Sequence, residues 1–360
     1  MAPRPDPVEV WDAEPGYPNT THAPEPEPGP PVNATDPVLP TVSGAIVRPG
    51  SDLRLDAHGH AWIAPPALAA EEVPALRDEA ALVAGLERFA RAAAPRRAAL
   101  LDCQAPGCGR DAAALARIAK KSGVAIAALT GFHVRRAYPK GLRPWTTTGS
   151  ALDTFVRELE GGFREAPMAK AAGVKAAFTG TVEDDDPCWQ AAITACRQTG
   201  ALLVVHTERG AGIEDLVAWL HERAVPTDRI YLLHADGRGD AGVLAELASA
   251  GVLLGFASSL RPSSGENGEP FALLERLLEG GFARSVAIGL ALTSPTLWAP
   301  ADEQPAAAGP KPHGPAALVT IVEARLRELG VVEGDLDALL GASLLERAAR
   351  PEVWSTGTTA

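Results

Sequence analysis

Residues 202–234 read LLVVHTERGAGIEDLVAWLHERAVPTDRIYLLH, two short apolar runs with a longer segment between them. The runs Leu202–His206 and Ile230–His234 are rich in Val, Ile and Leu, and each ends in a histidine. Between them, Ile213–Arg223 repeats apolar residues at helical spacing. The stretch therefore predicts a strand, a helix and a second strand parallel to the first.

The same alternation continues in both directions along the chain. The eight predicted strands are Leu53–Asp56, Ala98–Asp102, Val124–Leu129, Gly173–Phe178, Leu202–His206, Ile230–His234, Val252–Phe256 and Ser285–Leu290. The predicted helices include Arg110–Lys121, Pro187–Thr199, Ile213–Arg223, Ala241–Ala250, Pro270–Leu278, Ala316–Leu329 and Asp335–Ala348. Continuous apolar strands indicate a sheet covered on both faces, as parallel sheets are. Eight such units favour an α/β fold of the (β/α)8 TIM-barrel type.

Length and composition restrict the class of protein. The chain has 360 residues, of which 46% are hydrophobic and 22% are charged. No apolar run approaches the ~20 residues of a membrane span. The net charge of -12 argues against nucleic-acid binding, which needs a basic surface. We therefore expect a small-molecule substrate and neither a nucleic-acid nor a membrane partner.

Residues 1–40 carry half of the net negative charge of the chain. This leader has twelve prolines, and its seven acidic residues against one basic residue give it a net charge of -6. A segment so rich in proline and poor in apolar residues cannot offset its ordering entropy, so we expect it to be disordered. It also lacks the basic start and apolar region of a signal peptide. The remainder divides into a predicted barrel, 41–350, and a tail, 351–360.

The four cysteines indicate a reducing compartment. Cys103, Cys108, Cys188 and Cys196 show no CxxC spacing, so a cysteine-based zinc site is not expected. Because no secretion signal precedes them, a disulfide framework is not expected either. The predicted location is the cytoplasm.

Polar residues at the ends of apolar barrel strands point to a functional site, because strand carboxyl ends face the pocket. His58 and His60 follow the first strand with a spacing of two, which directs both imidazoles to one side. His206 and His234 end the fifth and sixth strands. Lys175 lies inside the fourth strand, where an unpaired ammonium is costly. The spacing of His58 and His60 would let two nitrogens share one metal ion. Each of these residues alone is compatible with a core position, but their shared placement at strand ends is less easily explained in that way.

Other residues are candidates for the substrate pocket. His133 follows the third strand and is equally compatible with lining the pocket or lying in the core. Two long loops, 257–269 and 292–314, follow the seventh and eighth strands on the predicted active face. Arg261 and Trp298 in these loops join His133 as pocket candidates. The second loop, rich in Pro, Ala and Gly, is also compatible with a disordered surface insertion.

Over residues 41–350 the sequence resembles the phosphotriesterase family of the amidohydrolase superfamily. Besides the strand-end histidines and the strand-four lysine, three motifs carry the resemblance: Thr41-Val42-Ser43-Gly44, Gly107-Cys108-Gly109-Arg110-Asp111 and Thr130-Gly131-Phe132. They occur in the order and spacing of that family, and the last two are quite specific to it. The resemblance implies an amidohydrolase-like barrel and, as is common among relatives, a homodimer.

The resemblance also implies a binuclear centre of divalent ions, typically zinc, bridged by a carboxylated lysine. By position, His58 and His60 would hold the more buried ion, and His206 and His234 the more exposed one. Lys175, as its carbamate, would bridge both ions, which would replace the costly ammonium with an anionic ligand. Two ions ~3.5–4 Å apart would activate water to attack an ester, lactone, amide or phosphoester. Lys175, His206 and His234 therefore have implied catalytic roles.

The family's sixth ligand, an aspartate at the end of strand eight, is missing. The matching position is Ala291, whose methyl group cannot bind a metal or accept a proton. Thr293 or Ser294 nearby could support a water ligand, and Asp302 could fold back towards the site. The sequence thus predicts an altered centre with one or two ions.

Two further departures point in the same direction. Ala257-Ser258 stands where many relatives carry an Asp-His pair, and Ala342-Ser343 replaces the usual Asn-Pro. Three hypotheses stay open: a metal-dependent hydrolase with an altered centre, a metal-binding pseudoenzyme with a binding or scaffold role, and a barrel enzyme of other chemistry, such as a lyase or isomerase.

Overall fold

Eleven strands lie in the described part of the chain. This computed structural model describes residues 38–48, 52–67, 74–182, 184–257, 271–298 and 314–348. The strands are β1 (Leu39–Pro40), β2 (Ile46–Val47), β3 (Leu53–Gly59), β4 (Arg97–Asp102), β5 (Ala125–Ala128), β6 (Thr130–Gly131), β7 (Gly173–Phe178), β8 (Leu202–Thr207), β9 (Ile230–Leu233), β10 (Leu253–Phe256) and β11 (Val286–Ile288). Residues 1–37 of the predicted leader, the tail, Arg261 and Asp302 lie outside the described residues.

The nine strands from β3 to β11 pair in parallel and form a barrel. Their order is β3-β4-β5 in one sheet and β6-β7-β8-β9-β10-β11 in the other. Only Leu129 separates β5 from β6, so together they make the third barrel strand. At the other side, the backbone N–H of Ala291, just past β11, donates to the carbonyl oxygen of His58 in β3 at 2.6 Å. The predicted eight-stranded (β/α)8 fold is confirmed.

Strand bounds differ from the prediction mainly in the first, third and eighth barrel strands, the eighth being Val286–Ile288 instead of Ser285–Leu290. β3 continues to Gly59 instead of ending at Asp56, and its pairing with β4 shifts register between those two residues. The third strand is divided because β5 pairs with β4 while β6 pairs with β7. The antiparallel pair β1 and β2 was not predicted.

The apolar strands bury both of their faces. One set of side chains fills the barrel interior, including Leu55, Leu101, Val204, Tyr231 and Leu253. The alternate set packs outward against the helices, including Leu100, Val205, Leu232, Leu254 and Ile288. This double burial is the reason that the strands read as continuous apolar runs.

Helices surround the barrel. They are α1 (Glu79–Ala93), α2 (Ala112–Ser122), α3 (Thr148–Val156), α4 (Pro187–Thr199), α5 (Ile213–Glu222), α6 (Ala241–Ser249), α7 (Ala272–Glu279), α8 (Pro295–Trp298), α9 (Ala324–Glu328), α10 (Glu333–Asp337) and α11 (Ser343–Ala348). α4 has its predicted bounds because Asp186 caps its first turn and Gly200 ends it in the left-handed region. The predicted helix 316–329 instead begins with π-helical turns over Leu318–Glu323. The predicted helix 335–348 is interrupted by a kink at Leu340 and Gly341.

A buried ion-pair cluster joins the start of β3 to the C-terminal helices. Arg54 is fully buried and forms paired hydrogen bonds with Glu323 at 2.8 and 2.9 Å. It also donates to Asp337 at 2.9 Å. These contacts lie at the N-terminal end of the barrel strand, whereas the predicted site lies at the C-terminal end. The ion-pair cluster and the predicted site therefore lie at opposite ends of the barrel.

Candidate metal centre

The predicted ligands converge at the carboxyl ends of four barrel strands. His58 lies in β3 and His60 follows it, while Lys175 is the third residue of β7. His206 lies near the end of β8, and His234 directly follows β9. His58, His60 and Lys175 are buried, and His206 and His234 are partly buried.

Three of the histidines form a compact set. The ligand nitrogens of His58, His206 and His234 all lie within 4.8 Å of one another. The His234 ring centroid is 4.6 Å from that of His58 and 5.0 Å from that of His206. The His60 ring centroid is 5.5 Å from that of His58, and His60 does not belong to this set. The His58 and His206 centroids are 6.4 Å apart, so all four histidine rings lie in one cluster.

The electrostatics of these imidazoles suit metal binding. Burial lowers the pKa of His58 and of His206 well below the ordinary value, and neighbouring histidines lower it further. The Nδ1 atoms of both rings are buried and have no hydrogen-bond partner among the described residues. A neutral imidazole with an unused nitrogen is the form that binds a metal ion. The residues present therefore fit a divalent ion.

Lys175 has the environment expected of a lysine that reacts. It is 1% exposed, and its Nζ donates to the backbone oxygen of Cys103 at 2.5 Å. Burial lowers the pKa of Lys175, which favours the neutral amine. A neutral amine is the nucleophile that adds to carbon dioxide to form a carbamate.

Two buried aspartates, which the sequence analysis did not single out, hold the backbone around the ligands. Asp56 Oδ1 accepts hydrogen bonds from the N–H groups of His58 at 3.1 Å and Leu290 at 3.0 Å. Asp102 accepts from the N–H of Ala61 at 2.7 Å, and burial raises the pKa of this carboxyl to about 6. Each of them ends a predicted apolar strand, and this position is the sequence feature that could have identified both aspartates.

The backbone is strained or closely packed at the positions next to the ligands. His234 and Ala291 both adopt positive φ angles, 59° and 47°. A Cβ atom on Gly131 would lie 2.0 Å from the carbonyl oxygen of Lys175, and one on Gly289 would lie 2.2 Å from the backbone nitrogen of His58. Only glycine permits these approaches, so both glycines set the positions of ligand residues.

The end of strand eight adjoins His58. The hydrogen bond from Ala291 to His58 places residue 291 beside this histidine, where a longer acidic side chain would reach the site. Of the proposed substitutes, Ser294 makes a hydroxyl contact with Thr296 at 2.7 Å. Ala257 stands after strand seven, where many relatives carry an Asp-His pair, and it donates its N–H to Asp236 at 3.1 Å.

A pocket of about 370 Å³ is lined in part by Val134, which follows His133, and by Glu208, two residues after His206. Its lining includes Arg136, Arg143, Asp186 and Glu208. Arg143 pairs with Asp186 at 2.6 Å, and Arg136 pairs with Glu208 at 2.6 Å. The charges in the lining are therefore mostly paired within it.

Two of the predicted pocket residues lie in different environments. The His133 ring contacts that of His206, with centroids 4.9 Å apart, and burial lowers the pKa of His133 well below its ordinary value. Its backbone N–H donates to the Tyr138 hydroxyl at 2.9 Å, which fixes the loop. Trp298 instead lies in the hydrophobic core, where it packs on Gly85 of α1 and donates to the carbonyl oxygen of Leu292 at 3.2 Å. The structure thus brings His133, but not Trp298, to the histidines.

Comparisons with known proteins agree with this architecture. The sequence model of the phosphotriesterase family matches residues 38–343. A lactonase from Listeria monocytogenes is similar in structure, with a TM-score of 0.72 and 17% identity over 88% of this chain and 100% of that one. An amidohydrolase from Mycoplasma synoviae has a TM-score of 0.73 and 20% identity over 89% of this chain and 94% of the other. No curated protein sequence matches. Within the described ranges, no helix is both long and apolar enough to cross a membrane.

Proposed function

The chain belongs to the phosphotriesterase family, and on this basis we propose that it is a metal-dependent hydrolase with an altered centre. Its substrate class is an ester, lactone, amide or phosphoester, and zinc is the proposed ion. The observation that carries the proposal is the set of ligand nitrogens on His58, His206 and His234, within 4.8 Å of one another at the barrel mouth.

Bound there, the ion would activate a water molecule and polarise the substrate oxygen. The chain supplies the surroundings that this chemistry needs. His58, His206 and His234 would bind the ion as neutral imidazoles, a form that the lowered pKa of His58 and of His206 maintains. Asp56 and Asp102 hold the backbone of the histidine strand through N–H groups, which orients the ligands.

Carboxylation of Lys175 is part of the proposal. The burial of the amine and its lowered pKa support it, because the carbamate would bring a negative charge to a centre whose imidazole ligands are neutral. Uptake of carbon dioxide would be seen as a labelled carbamate carbon after incubation with isotopic bicarbonate. The same signal should be lost in Lys175→Met.

Proton transfer distinguishes this centre from that of its relatives. Residues 286–294, which end strand eight, contain no acidic side chain, so the water must lose its proton without the carboxylate that the resemblance places there. Metal binding alone lowers the pKa of water to ~7 in suitable sites, so hydrolysis needs no adjacent acid. We expect the reaction to be slower than with such a carboxylate.

His133 and the adjoining pocket are the proposed substrate contacts. Val134 and Glu208 in its lining lie one residue after His133 and two residues after His206, and the rings of these two histidines contact each other. Its lining has three arginines and two acidic residues, which suits a polar substrate. The four cysteines are free and buried, which supports the proposed location in the cytoplasm.

The function is tested by removal and return of the metal. The purified chain is stripped with a chelator, reloaded with zinc, and assayed on an aryl ester, a lactone and a phosphotriester. We expect hydrolysis of at least one substrate only after reloading, and its loss in His206→Ala. His221→Ala is the matched control, because His221 is an exposed histidine of α5 outside the site and should leave activity unchanged.

An inactive protein that still binds metal would contradict the hydrolase proposal. That result would favour a binding or scaffold role, for which the missing strand-eight acid is the supporting observation. Activity that persists without metal would instead favour a barrel enzyme of other chemistry.

A further inference from the structure

We propose that the pocket of about 370 Å³ binds a free carboxylate of the substrate, and that Arg135 and Arg136 recognise this group. The pocket is named the arginine pocket after its charged lining, which consists of Arg135, Arg136, Arg143, Asp186 and Glu208. The inference rests on the proposed hydrolase function and deepens it, because it names a second chemical group that the substrate carries besides the bond that is cleaved.

The arginine pocket adjoins the proposed metal centre. Glu208 in its lining lies two residues after His206. Ala177, also in the lining, pairs in register with His206 and lies two residues after Lys175, on the same face of β7. Burial lowers the pKa of His206 most, and the charges around it, including that of Arg136, lower it further. The pocket is therefore positioned to hold one end of a substrate whose other end lies at the centre.

Arg143 forms the fixed wall of the pocket. Its side chain is 7% exposed, and its guanidinium donates to Asp186 at 2.6 Å and to the carbonyl oxygen of His133 at 3.1 Å. The same guanidinium lies over the Phe132 ring, 4.4 Å from the centroid. An arginine with these contacts is held in one position, so it shapes the pocket and leaves recognition to the other two arginines.

Arg135 and Arg136 are the accessible arginines, with side chains 53% and 64% exposed. Arg135 lies 3.6 Å from the Asp186 oxygen that Arg143 already contacts, which is longer than a hydrogen bond. Arg136 pairs with Glu208 at 2.6 Å, but exposed ion pairs contribute little because water screens both charges. A carboxylate of the substrate can therefore replace Glu208 at Arg136 with little loss and contact Arg135 as well.

The charge of the lining favours a carboxylate over a phosphate. Three arginines and two acidic residues give the lining a net charge of +1, which one carboxylate balances. A phosphate monoester carries about -1.5 to -2 at pH 7 and would leave an excess of negative charge beside Asp186 and Glu208. A guanidinium can also bind a carboxylate through two parallel hydrogen bonds. The arginine pocket thus suits a substrate with one carboxylate.

The test compares two matched esters in the zinc-loaded full chain. One is the mono-4-nitrophenyl ester of glutaric acid, which keeps a free carboxylate, and the other is the same compound with that carboxylate converted to its neutral methyl ester. We expect kcat/KM to be at least about ten-fold higher for the acid, through a lower KM, which is what a hydrogen bond to a charged group contributes. Added salt should reduce this preference, because it screens exposed charges.

Substitutions in the lining should change the preference in opposite directions. Arg135→Gln and Arg136→Gln should each remove most of it. Glu208→Gln should lower KM for the acid about three-fold, because the carboxylate that competes for Arg136 is gone. Arg117→Gln is the matched control, since Arg117 is 53% exposed and pairs with Glu79 at 3.3 Å between α2 and α1, outside the pocket. This control should keep the full preference.

Equal kcat/KM values for the two esters would overturn the inference. So would a preference that survives in Arg135→Gln and Arg136→Gln proteins whose unfolding midpoints match the wild type. A rise in KM for the acid in Glu208→Gln would mean that the pair with Arg136 supports the fold of the loop and does not compete with the substrate.

Ligand binding to the metal-free chain separates this inference from the proposed function, because it needs no catalysis. Ligand-observed NMR compares monomethyl glutarate, neutral dimethyl glutarate and methyl phosphate. We expect monomethyl glutarate to bind most tightly and Arg136→Gln to weaken it. That result in an inert protein would contradict the hydrolase and leave the inference standing, whereas zinc-dependent hydrolysis with equal rates for both esters would do the reverse. Tighter binding of methyl phosphate would show that the assignment of a carboxylate is wrong.

Discussion

Ala291 lacks the acidic group that the resemblance predicts at this position, and its backbone conformation is also unusual. Its φ of 47° lies in the left-handed region, where alanine is disfavoured by roughly 1–2 kcal/mol and aspartate is found more often. The conformation is thus better suited to the acid that the resemblance predicts than to the residue present. The N–H of Ala291 donates to the carbonyl oxygen of His58, so the end of strand eight lies beside His58 without the carboxylate.

Ala291→Asp should therefore be tolerated by the fold and should increase hydrolysis. A carboxylate beside His58 would accept the proton of the attacking water, and a positioned base typically contributes ~10²–10⁴-fold. We expect kcat/KM for an aryl ester or lactone to rise about 100-fold in the zinc-loaded protein. Thr293→Asp adds the same charge two residues further on and should give no such rise. A metal-loaded Ala291→Asp protein that remains inert would show that the proton-transfer argument is wrong.

The buried histidines predict how the metal-free protein responds to acid. Burial lowers the pKa of His58, His133 and His206 in the folded state, whereas the unfolded chain protonates them near pH 6.5. Their contribution to stability is complete above that pH and is lost as the pH falls below it, because the unfolded chain then binds more protons. Between pH 7.5 and 6.0 we expect a loss of about 2 kcal/mol. The raised pKa of Asp102 has the opposite effect on stability. This effect is smaller, less than about 0.5 kcal/mol over the same pH range.

Urea unfolding of the stripped chain at the two pH values measures this loss. His206→Asn removes one of the three titrating groups and should reduce the loss by about a third. If the free energy of unfolding were the same at both pH values in the wild type, these histidines would not be held neutral by burial.

At the scale of elements, closure of the barrel and the metal centre depend on the same contact. Gly289 follows β11 and packs against the backbone of His58 so closely that a Cβ would lie 2.2 Å from its nitrogen. Gly289→Ala must separate the strand end from β3. We expect a loss of about 1–3 kcal/mol in stability, as for overpacked sites, together with weaker zinc binding.

Urea unfolding and a zinc titration against a competing chelator measure both effects of this substitution. Gly149→Ala is the matched control, since an added Cβ there meets nothing within 4 Å. Unchanged zinc affinity in Gly289→Ala would mean that the position of His58 does not depend on how the barrel closes.

The strand pattern was predictable because it depends on local sequence, while the distances between the proposed ligands were not. Apolar runs such as 173–178 gave strand bounds directly, and terminal histidines marked the carboxyl ends. The distances between the histidine rings depend on how the strands close across the barrel, for example the 4.6 Å between His58 and His234. Trp298 was expected in the pocket from its loop position, but its indole is held in the core by packing on α1, which no local pattern reveals.

At the scale of the whole molecule, the buried ion-pair cluster and the proposed metal centre occupy opposite ends of the barrel. The buried Arg54 cluster lies at the N-terminal end of β3, and His58 lies at the C-terminal end of the same strand. Substitution at one end should therefore leave the other largely unaffected, as expected for this fold. The homodimer implied by the resemblance remains a prediction that sedimentation analysis would check.

The acidic leader should be dispensable for both the fold and the centre. The described site residues and the described core all come from residues 38–348, and the family match begins at residue 38. A chain that starts at residue 38 should keep its zinc stoichiometry and an unfolding midpoint within about 2 °C of the full chain, which corresponds to less than about 1 kcal/mol. Limited proteolysis of the full chain should cut first within residues 1–37. A drop in the midpoint of more than about 5 °C, or loss of zinc from the shortened chain, would show that the leader packs against the barrel.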